Sequence, residues 1–159
     1  MRIVLEKENE LFIINNLFKK IELNVENYNW LLSDMTDTQI FNDNEYVEHT
    51  SLTHSIECLL IKGDKLKKLL EEFDMSFTFA VFTALPSKIN HFEIFEVPEI
   101  YDNEDYWSEN YVPTIPQAEF EIGFFDSSDI IFTGDKQTLT GFQKKANFTS
   151  FKNYIETSI

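Results

Sequence analysis

The middle of the chain holds side-chain types that bind zinc. His49, His54 and Cys58 together offer two imidazoles and a thiol, which are common zinc ligands. The alternation of Ile56, Cys58 and Leu60 predicts a strand, on which His54 and Cys58 would lie about 13 Å apart at roughly 3.3 Å per residue. We therefore predict no metal site here, although a helical conformation would make the two neighbours, and expect Cys58 to be a small buried hydrophobic residue.

A serine nucleophile could be built from Ser127 or Ser128 with His91. Neither serine lies in a G-x-S-x-G elbow. The run Asp-Ser-Ser-Asp has instead the composition that tight turns select for their own hydrogen bonds. The segment 126–129 is therefore predicted to be a turn rather than a catalytic site.

Paired carboxylates offer acid–base chemistry or a site for a hard metal ion. Asp102 with Asp105, and Glu119 with Glu121, are such pairs, but a chain with 28 acids contains close pairs by composition alone. The chain has no phosphate-binding loop, dinucleotide fingerprint or EF-hand spacing, and it has only four glycines. We predict that the protein is not an enzyme and has no catalytic residues, metal ligands or cofactor.

The stretch 99–111, EIYDNEDYWSENY, most clearly indicates an interaction site, because it combines five acids with four aromatic residues. Tyrosine and tryptophan anchor interfaces, and acids steer and pair with a basic partner. In this hypothesis the acids raise the encounter rate while Tyr106 and Trp107 supply the desolvated contact. The alternative is that Trp107 and one or two tyrosines fold back over the core as a lid. The predicted partner-binding residues are Tyr101, Asp102, Glu104, Asp105, Tyr106, Trp107, Glu109 and Tyr111.

The net charge of −15 bounds the class of partner. Eight acids and no base lie between residues 21 and 61, and twelve acids and no base lie between 89 and 135. Such a surface disfavours nucleic acid and anionic membranes and favours a basic protein. The alternative is that the acids only keep the protein soluble.

Length and composition predict one domain over 1–159, since 43% of the residues are hydrophobic and 16 are Phe. The apolar runs are too short to span a bilayer, and the N-terminus becomes charged before a signal-peptide core could form. One cysteine permits no internal disulfide. We therefore expect an unexported, cytoplasmic protein.

The strongest local pattern, strand–helix–strand, covers 54–86. Gly63 and Asp64 break the first strand, and Asp64 is the predicted helix N-cap. Leu66, Leu69, Leu70 and Phe73 follow at helical spacing. The run 77–82 is apolar enough to be buried on both faces of a sheet.

Two further helices are predicted over 8–21 and near 136–145, the second capped by Asp135 or Thr138. The last stretch, 148–155, fits either a strand or a helix.

Further strands are predicted over 1–7 and 91–97. The alternation within 25–41 favours a hairpin whose turn lies at 33–34, and 118–134 has the clearest hairpin pattern in the chain. Between these elements, 98–117 is predicted to be a long loop, a length that is more often functional or mobile than not.

The polar positions of the 118–134 hairpin, Glu119 and Glu121, alternate with phenylalanine and isoleucine. This alternation predicts a sheet with one face in water. The expected fold is a single-domain α+β protein, with a mainly antiparallel or mixed sheet of about five to seven strands and helices near 9–20, 64–73 and 136–145 on one face.

The framework residues Tyr28-Asn29-Trp30, the segment 79–86 (FAVFTALP) and the segment 120–128 resemble a family of small bacterial proteins classed only as a domain of unknown function. The resemblance covers most of the chain and implies no catalytic residues. More loosely, a small, acidic, aromatic-rich α+β domain is similar to bacterial immunity proteins, which bind and block a cognate toxin.

The function predicted from the sequence is a non-enzymatic, cytoplasmic protein-binding domain, most concretely an immunity or inhibitor protein that engages a basic protein through its acidic aromatic loop. One alternative is a nucleic-acid mimic that occupies a DNA- or RNA-binding protein. Another is a small-ligand binder or hydrolase with a pocket under the 98–117 loop.

Overall fold

The fold combines two antiparallel sheets with four helices in the part of the chain that this computed structural model describes, residues 1–6, 9–48, 52, 57–89, 91 and 93–158. The larger sheet has seven strands in the order β10-β1-β9-β8-β7-β2-β5, and the smaller has three in the order β4-β3-β6. The expected single-domain α+β class is confirmed. The strands are β1 (Arg2–Leu5), β2 (Tyr28–Thr36), β3 (Gln39–Asn42), β4 (Glu45–Tyr46), β5 (Cys58–Lys62), β6 (Asp74–Ser76), β7 (Phe79–Pro86), β8 (Phe120–Phe125), β9 (Asp129–Gly134) and β10 (Phe148–Ser150). The helices are α1 (Ile14–Lys20), α2 (Gly63–Glu72), α3 (Lys136–Gln143) and α4 (Phe151–Ser158).

The strand–helix–strand unit is confirmed as β5, α2 and β7. Both strands pair with β2 in an antiparallel sense, so they run parallel to each other with β2 between them. The predicted N-cap is wrong: Lys62 has the cap position, and Asp64 lies in the first turn of α2. The helix therefore begins two residues earlier than an Asp64 cap would place it. Gly63 packs so closely against residues 25–28 that a Cβ atom would lie 2.3 Å from the Tyr28 carbonyl oxygen.

The first face of the large sheet carries the main core. Alternate residues of β2, β7, β8 and β9 point to this face, and helices α1, α2 and α3 cover it with Leu17, Leu66 and Leu139. This confirms the three predicted helices and their common face, although the first begins at Ile14, after a 3-10 turn over Asn9–Phe12. The strands contribute, among others, the fully buried side chains Trp30, Phe82, Phe120, Phe124 and Phe132.

The second face of the large sheet is also buried, which contradicts the expected wet face. Val4, Val81 and Ile131 of the strands pack here against Ile100 and Tyr106 of the 98–117 segment. The stretch 148–155, predicted as either a strand or a helix, contains both: strand β10 ends at Ser150 and helix α4 begins at Phe151. Helix α4 adds Phe151 to the same cluster. Glu121 is accordingly 0% exposed. We call residues 98–117 the cover segment.

The hairpin predicted within 25–41 is wrong. Strand β2 continues from Tyr28 to Thr36, and the register with β7 shifts between Ser33 and Thr36. Asp34 has a φ of 49°, as expected in an irregularity of this kind because aspartate tolerates the left-handed region. The following strand, β3, pairs with β4 and β6 in the smaller sheet.

The strand predicted over 91–97 is also wrong for the residues described there, 91 and 93–97, which form no strand. The preceding strand, β7, is paired on both sides, with β2 and β8, so it has no free edge with which 91–97 could pair. Ile94 instead packs, half-buried, against the cluster of Leu31, Leu85 and Ile115, and Phe95 is 89% exposed. Phe92 lies outside the described residues.

Candidate functional site

A row of buried polar side chains crosses the second face of the sheet beneath the cover segment. Arg2 on β1 pairs with Thr133 on β9, Thr133 pairs with Glu121 on β8, and Glu121 pairs with Thr83 on β7. All four side chains are buried. We call these four residues the polar row. Directly paired residues have side chains on the same face, so this arrangement follows from the register of four adjacent strands.

Arg2 is the one arginine of the chain, beside twelve lysines. Its Nε donates a hydrogen bond to Thr133 Oγ1 at 3.1 Å, and its Nη1 donates to the Ser108 carbonyl oxygen at 2.7 Å. The guanidinium carbon lies 3.8 Å from the centre of the Phe151 ring and 4.9 Å from that of Tyr111. Burial lowers the pKa of Arg2, but an arginine keeps its charge at physiological pH. One cation thus ties β1 to β9, to the cover segment and to α4.

Glu121 is the acidic member of the polar row. Its Oε1 accepts a hydrogen bond from the Tyr111 hydroxyl at 2.8 Å. Burial raises the pKa of the Glu121 carboxyl to about 7, while the hydrogen bond from Tyr111 and the charge of Arg2 act in the opposite direction. Burial also raises the pKa of Tyr106 and of Tyr111, and the Glu121 carboxylate adds to both shifts. The carboxyl therefore changes its charge near neutral pH in a site without solvent access.

Four buried polar atoms around the row have no hydrogen-bond partner in the described protein. They are Arg2 Nη2, Thr83 Oγ1, the Tyr106 hydroxyl and Glu121 Oε2. An unpaired buried polar group costs about 1–3 kcal/mol, so the row is held in place by its surroundings. One of these constraints is the Tyr106 ring, which is fully buried against the backbone of β8 at Gly123.

The start of the cover segment is attached to strand β2. Asp34 Oδ2 accepts hydrogen bonds from the backbone amides of Ile100 at 2.7 Å and Tyr101 at 2.6 Å. Ser33 Oγ donates to the Pro98 carbonyl oxygen at 2.7 Å. The middle of the segment forms a 3-10 turn over Glu104–Trp107, where the Asn103 side chain accepts from the Asp105 amide. All three hydrogen bonds to β2 involve Ser33 or Asp34, at the start of the irregularity between Ser33 and Thr36.

The outer side of the cover segment borders an open pocket of about 300 Å³. Its aromatic wall consists of Phe79, Tyr101, Trp107 and Phe125. The Phe79 ring lies 4.9 Å from Tyr101 and 5.2 Å from Phe125, centre to centre, and Trp107 lies 4.9 Å from Phe125. We call this the aromatic pocket. The rest of its lining consists of Ile100, Asp102, Asn103 and Glu104.

The predicted partner-binding residues divide between the two sides of the cover segment. Tyr106 is fully buried and Tyr111 is half-buried against it, with ring centres 4.5 Å apart. The predicted lid consists of Trp107 with one or two tyrosines. Tyr106 and Tyr111 cover the second face, Trp107 packs against the same cluster with its ring 6.2 Å from that of Phe151, and Tyr106 is not accessible to a partner. Trp107 is half-buried and Tyr101 is 58% exposed. The acidic members of the set, Asp102, Glu104, Asp105 and Glu109, are all exposed.

Most of the other residues singled out by chemistry can be placed in the fold. Of the zinc-type residues, His49 and His54 lie outside the described residues, and Cys58 is half-buried at the edge strand rather than fully buried. Ser127 and Ser128 form the turn between β8 and β9, as predicted. Glu119 is exposed whereas Glu121 is buried. Among the described residues, no group of three histidines, cysteines or acids is placed to hold a metal ion.

Sequence reasoning missed the polar row. One signal was available, namely a lone arginine directly before the apolar run Ile3-Val4-Leu5. Glu121 carried no such signal, because a single acid between Phe120 and Ile122 has the pattern of a solvent-facing position. Its hydrogen-bond partner Tyr111 lies ten residues earlier, in the cover segment, and Arg2 reaches the same face only through the register of β1, β9 and β8.

No protein-family model matches the chain, and no curated protein or solved structure matches it. The resemblances to a bacterial family of unknown function and to immunity proteins therefore stay predictions. None of the helices in the described ranges is long and apolar enough to cross a membrane.

Proposed function

We propose that the protein is a non-enzymatic binding domain that engages a basic protein through the outer side of the cover segment. The concrete form of this proposal is a bacterial immunity or inhibitor protein that acts in the cytoplasm. The observation that supports it is the division of the cover segment into a fixed inner side and an acidic outer side.

The inner side is fixed by contacts of several kinds. Ile100 and Ile115 are buried among sheet residues, Asp34 holds the first amides, and Arg2 holds the Ser108 carbonyl. A surface that is ordered before binding loses less conformational entropy when a partner docks. The four exposed acids are thus presented on a preorganised platform instead of a flexible loop.

The outer side provides long-range attraction and a contact surface. Asp102, Glu104 and Asp105 are exposed next to the aromatic pocket. Their charges, within a protein of net charge −15, raise the association rate with a basic protein at low salt. Tyr101 and Trp107 supply the aromatic contact. The sequence-based hypothesis gave this contact to Tyr106 and Trp107, but Tyr106 is buried and Tyr101 takes its place.

The test is to capture partners with tagged protein from a lysate, identify any protein retained stoichiometrically, and measure its binding rates to the purified chain at low and moderate salt. We expect a basic protein whose association rate falls as salt rises. The double variant Asp102→Asn/Asp105→Asn should slow association several-fold. Failure to retain any basic protein at low salt would overturn the proposal.

The matched control is Asp37→Asn/Asp43→Asn. Both residues are exposed and the change removes the same two charges, but the residues lie on either side of β3 and neither lines the aromatic pocket. If the two double variants slow association equally, the effect is one of net charge and the cover segment is not the binding surface.

A second candidate function, a small-ligand binder or hydrolase, is favoured by one observation. Glu121, with a pKa raised to about 7, and Tyr106 and Tyr111, with raised pKa values, converge under the cover segment, and perturbed titratable groups mark functional sites. It ranks second because the Glu121 side chain is fully buried. Glu121→Gln would abolish such an activity and leave capture of a basic protein unchanged.

A further inference from the structure

We propose that the aromatic pocket receives an arginine side chain, with the guanidinium stacked on the aromatic wall and paired with Asp102 and Glu104. This inference deepens the proposed function and rests on it for the identity of the arginine, which would belong to the basic partner. The pocket itself can be tested without any partner.

The shape of the pocket suits one side chain. Its volume of about 300 Å³ is at the lower end of the range for small-molecule sites, roughly 300–1,000 Å³. It is open to solvent on the side of Tyr101, which is 58% exposed. The wall rings meet edge to face, with angles of 67° between Phe79 and Tyr101 and 83° between Trp107 and Phe125. A flat group can therefore lie on one ring face while it meets the edge of another.

The charge of the pocket selects a cation. Asp102 and Glu104 are the charged groups of its lining, and Asp105 is exposed in the adjacent 3-10 turn. An anion would be repelled, and an apolar group would leave the carboxylates without a partner. A cation over aromatic faces is attracted by the ring quadrupoles, so both components of the pocket act on the same ligand.

Arginine fits this combination better than lysine. The planar guanidinium stacks on aromatic rings and offers a fork of donors to carboxylates, whereas the ammonium group is compact and strongly hydrated. On the inner side of the cover segment, the chain itself places a guanidinium over aromatic rings. There the Arg2 guanidinium lies 3.8 Å from the Phe151 ring centre, 4.9 Å from Tyr111 and 5.2 Å from Tyr106.

The experiment is an amide and indole NMR titration of the full chain with three capped tripeptides, Gly-Arg-Gly, Gly-Lys-Gly and Gly-citrulline-Gly. Citrulline keeps the shape of arginine without its charge. We expect the arginine peptide to bind in the millimolar range and to shift the Trp107 indole and the amides of 100–104. It should bind about tenfold more tightly than the citrulline peptide and more tightly than the lysine peptide.

Two variants locate the site. Asp102→Asn should weaken the arginine peptide about two- to fivefold, and Tyr101→Ala should weaken it further by removing an exposed wall. The matched control is Asp43→Asn. Asp102 and Asp43 are both exposed and both have φ near 50°, at 51° and 48°, a conformation that asparagine tolerates. Asp43→Asn should bind the peptide like the parent chain.

Any of three results would overturn the inference. The arginine and citrulline peptides could cause equal shifts, the shifts could be dispersed over other acidic surfaces, or Asp43→Asn could weaken peptide binding as much as Asp102→Asn does. Its failure is distinguishable from failure of the proposed function. Peptide binding at the pocket without any basic protein in the capture experiment would contradict only the proposed function. A captured basic protein whose association is slowed by Asp102→Asn/Asp105→Asn, with no shifts from the arginine peptide, would contradict only the pocket.

Discussion

Gly123 on β8 lies directly beneath the Tyr106 ring, so closely that a Cβ atom at position 123 would be 2.3 Å from the Tyr106 hydroxyl oxygen and 2.8 Å from the ring carbon that bears it. Real contacts to Cβ atoms are essentially never shorter than 3.0 Å. The absence of a side chain at position 123 thus allows the cover segment to lie against the backbone of the sheet. The close packing of Tyr106 on β8, one of the contacts that fix the inner side of the segment, depends on this position.

Replacement of this glycine should loosen the cover segment. We expect Gly123→Ala to lower the free energy of unfolding by about 2 kcal/mol, the usual cost of overpacking a core, as measured by urea denaturation. The cost should be smaller in a Tyr106→Phe background, because the nearest colliding atom is then absent and the two substitutions are coupled.

The control for this substitution is Gly141→Ala. A Cβ atom at Gly141, within α3, would meet nothing within 4 Å. Alanine is favoured over glycine in a helix by roughly 0.5–1 kcal/mol, so this variant should be no less stable than the parent. Equal effects of the two substitutions would contradict the close approach of Tyr106 to β8.

The buried carboxyl of Glu121 should make stability depend on pH. Its pKa of about 7 in the folded protein lies above the value of about 4.3 expected in the unfolded chain, so the folded state binds the proton more tightly. The resulting stabilisation is fully present below the unfolded pKa and is lost as pH rises through about 7. Between pH 5 and pH 8 the loss is about 2 kcal/mol.

Glu121→Gln removes this titration and keeps an oxygen for the Tyr111 hydroxyl. Urea denaturation at pH 5 and pH 8 should show the variant gaining about 2 kcal/mol relative to the parent over that interval. Glu119→Gln, an exposed acid two residues away, is the control and should follow the parent. Parallel stability profiles for the parent and Glu121→Gln would show that the carboxyl is ionised throughout.

The helices and central strands were predictable because their signals are local. Leu66 and Leu69 repeat at helical spacing, and α2 contains both. Strand β7 was evident from its continuous apolar run and is paired on both sides. The prediction of a hairpin within 25–41 was wrong because aspartate occurs both in turns and in strand irregularities. The pairing of β2 with β7 keeps the chain extended through Asp34.

The candidate site was only half predictable. Sequence indicated the segment 99–111 as a whole, but the neighbours Tyr106 and Trp107 have opposite roles, since one is buried over Gly123 and the other borders the aromatic pocket. Residue type does not separate them. Their orientation depends on the position of Gly123 across the sheet, which no spacing within the segment reveals.

Replacement of Arg2 by lysine should destabilise the folded protein. Lysine keeps the charge but cannot reproduce the fork that serves Thr133 Oγ1 and the Ser108 carbonyl while stacking on Phe151. We expect Arg2→Lys to lower the free energy of unfolding by about 2 kcal/mol. Lys152→Ala, an exposed change on α4 next to Phe151, should stay within about 0.5 kcal/mol of the parent. If Arg2→Lys is equally neutral, the guanidinium does not hold the segment.

Asp34 should control the mobility of the first residues of the cover segment, since its carboxylate holds the amides of Ile100 and Tyr101. Asp34→Ala removes both hydrogen bonds, and we expect amide hydrogen exchange at these two residues to rise about thirtyfold, corresponding to about 2 kcal/mol. Binding of the Gly-Arg-Gly peptide should weaken as well, because Ile100 and Tyr101 line the aromatic pocket.

The strain of placing alanine at a positive φ must be separated from the loss of these hydrogen bonds. Asp37 provides the comparison, because its φ of 50° is close to the 49° of Asp34 and it is exposed in the turn before β3. Asp37→Ala therefore carries a similar backbone cost, but it should leave exchange at Ile100 and Tyr101 unchanged. If both variants raise exchange at these amides equally, the effect is global destabilisation, and Asp34 has no specific role in ordering the pocket. If only Asp34→Ala does so, the irregularity in β2 is the element that positions the binding surface.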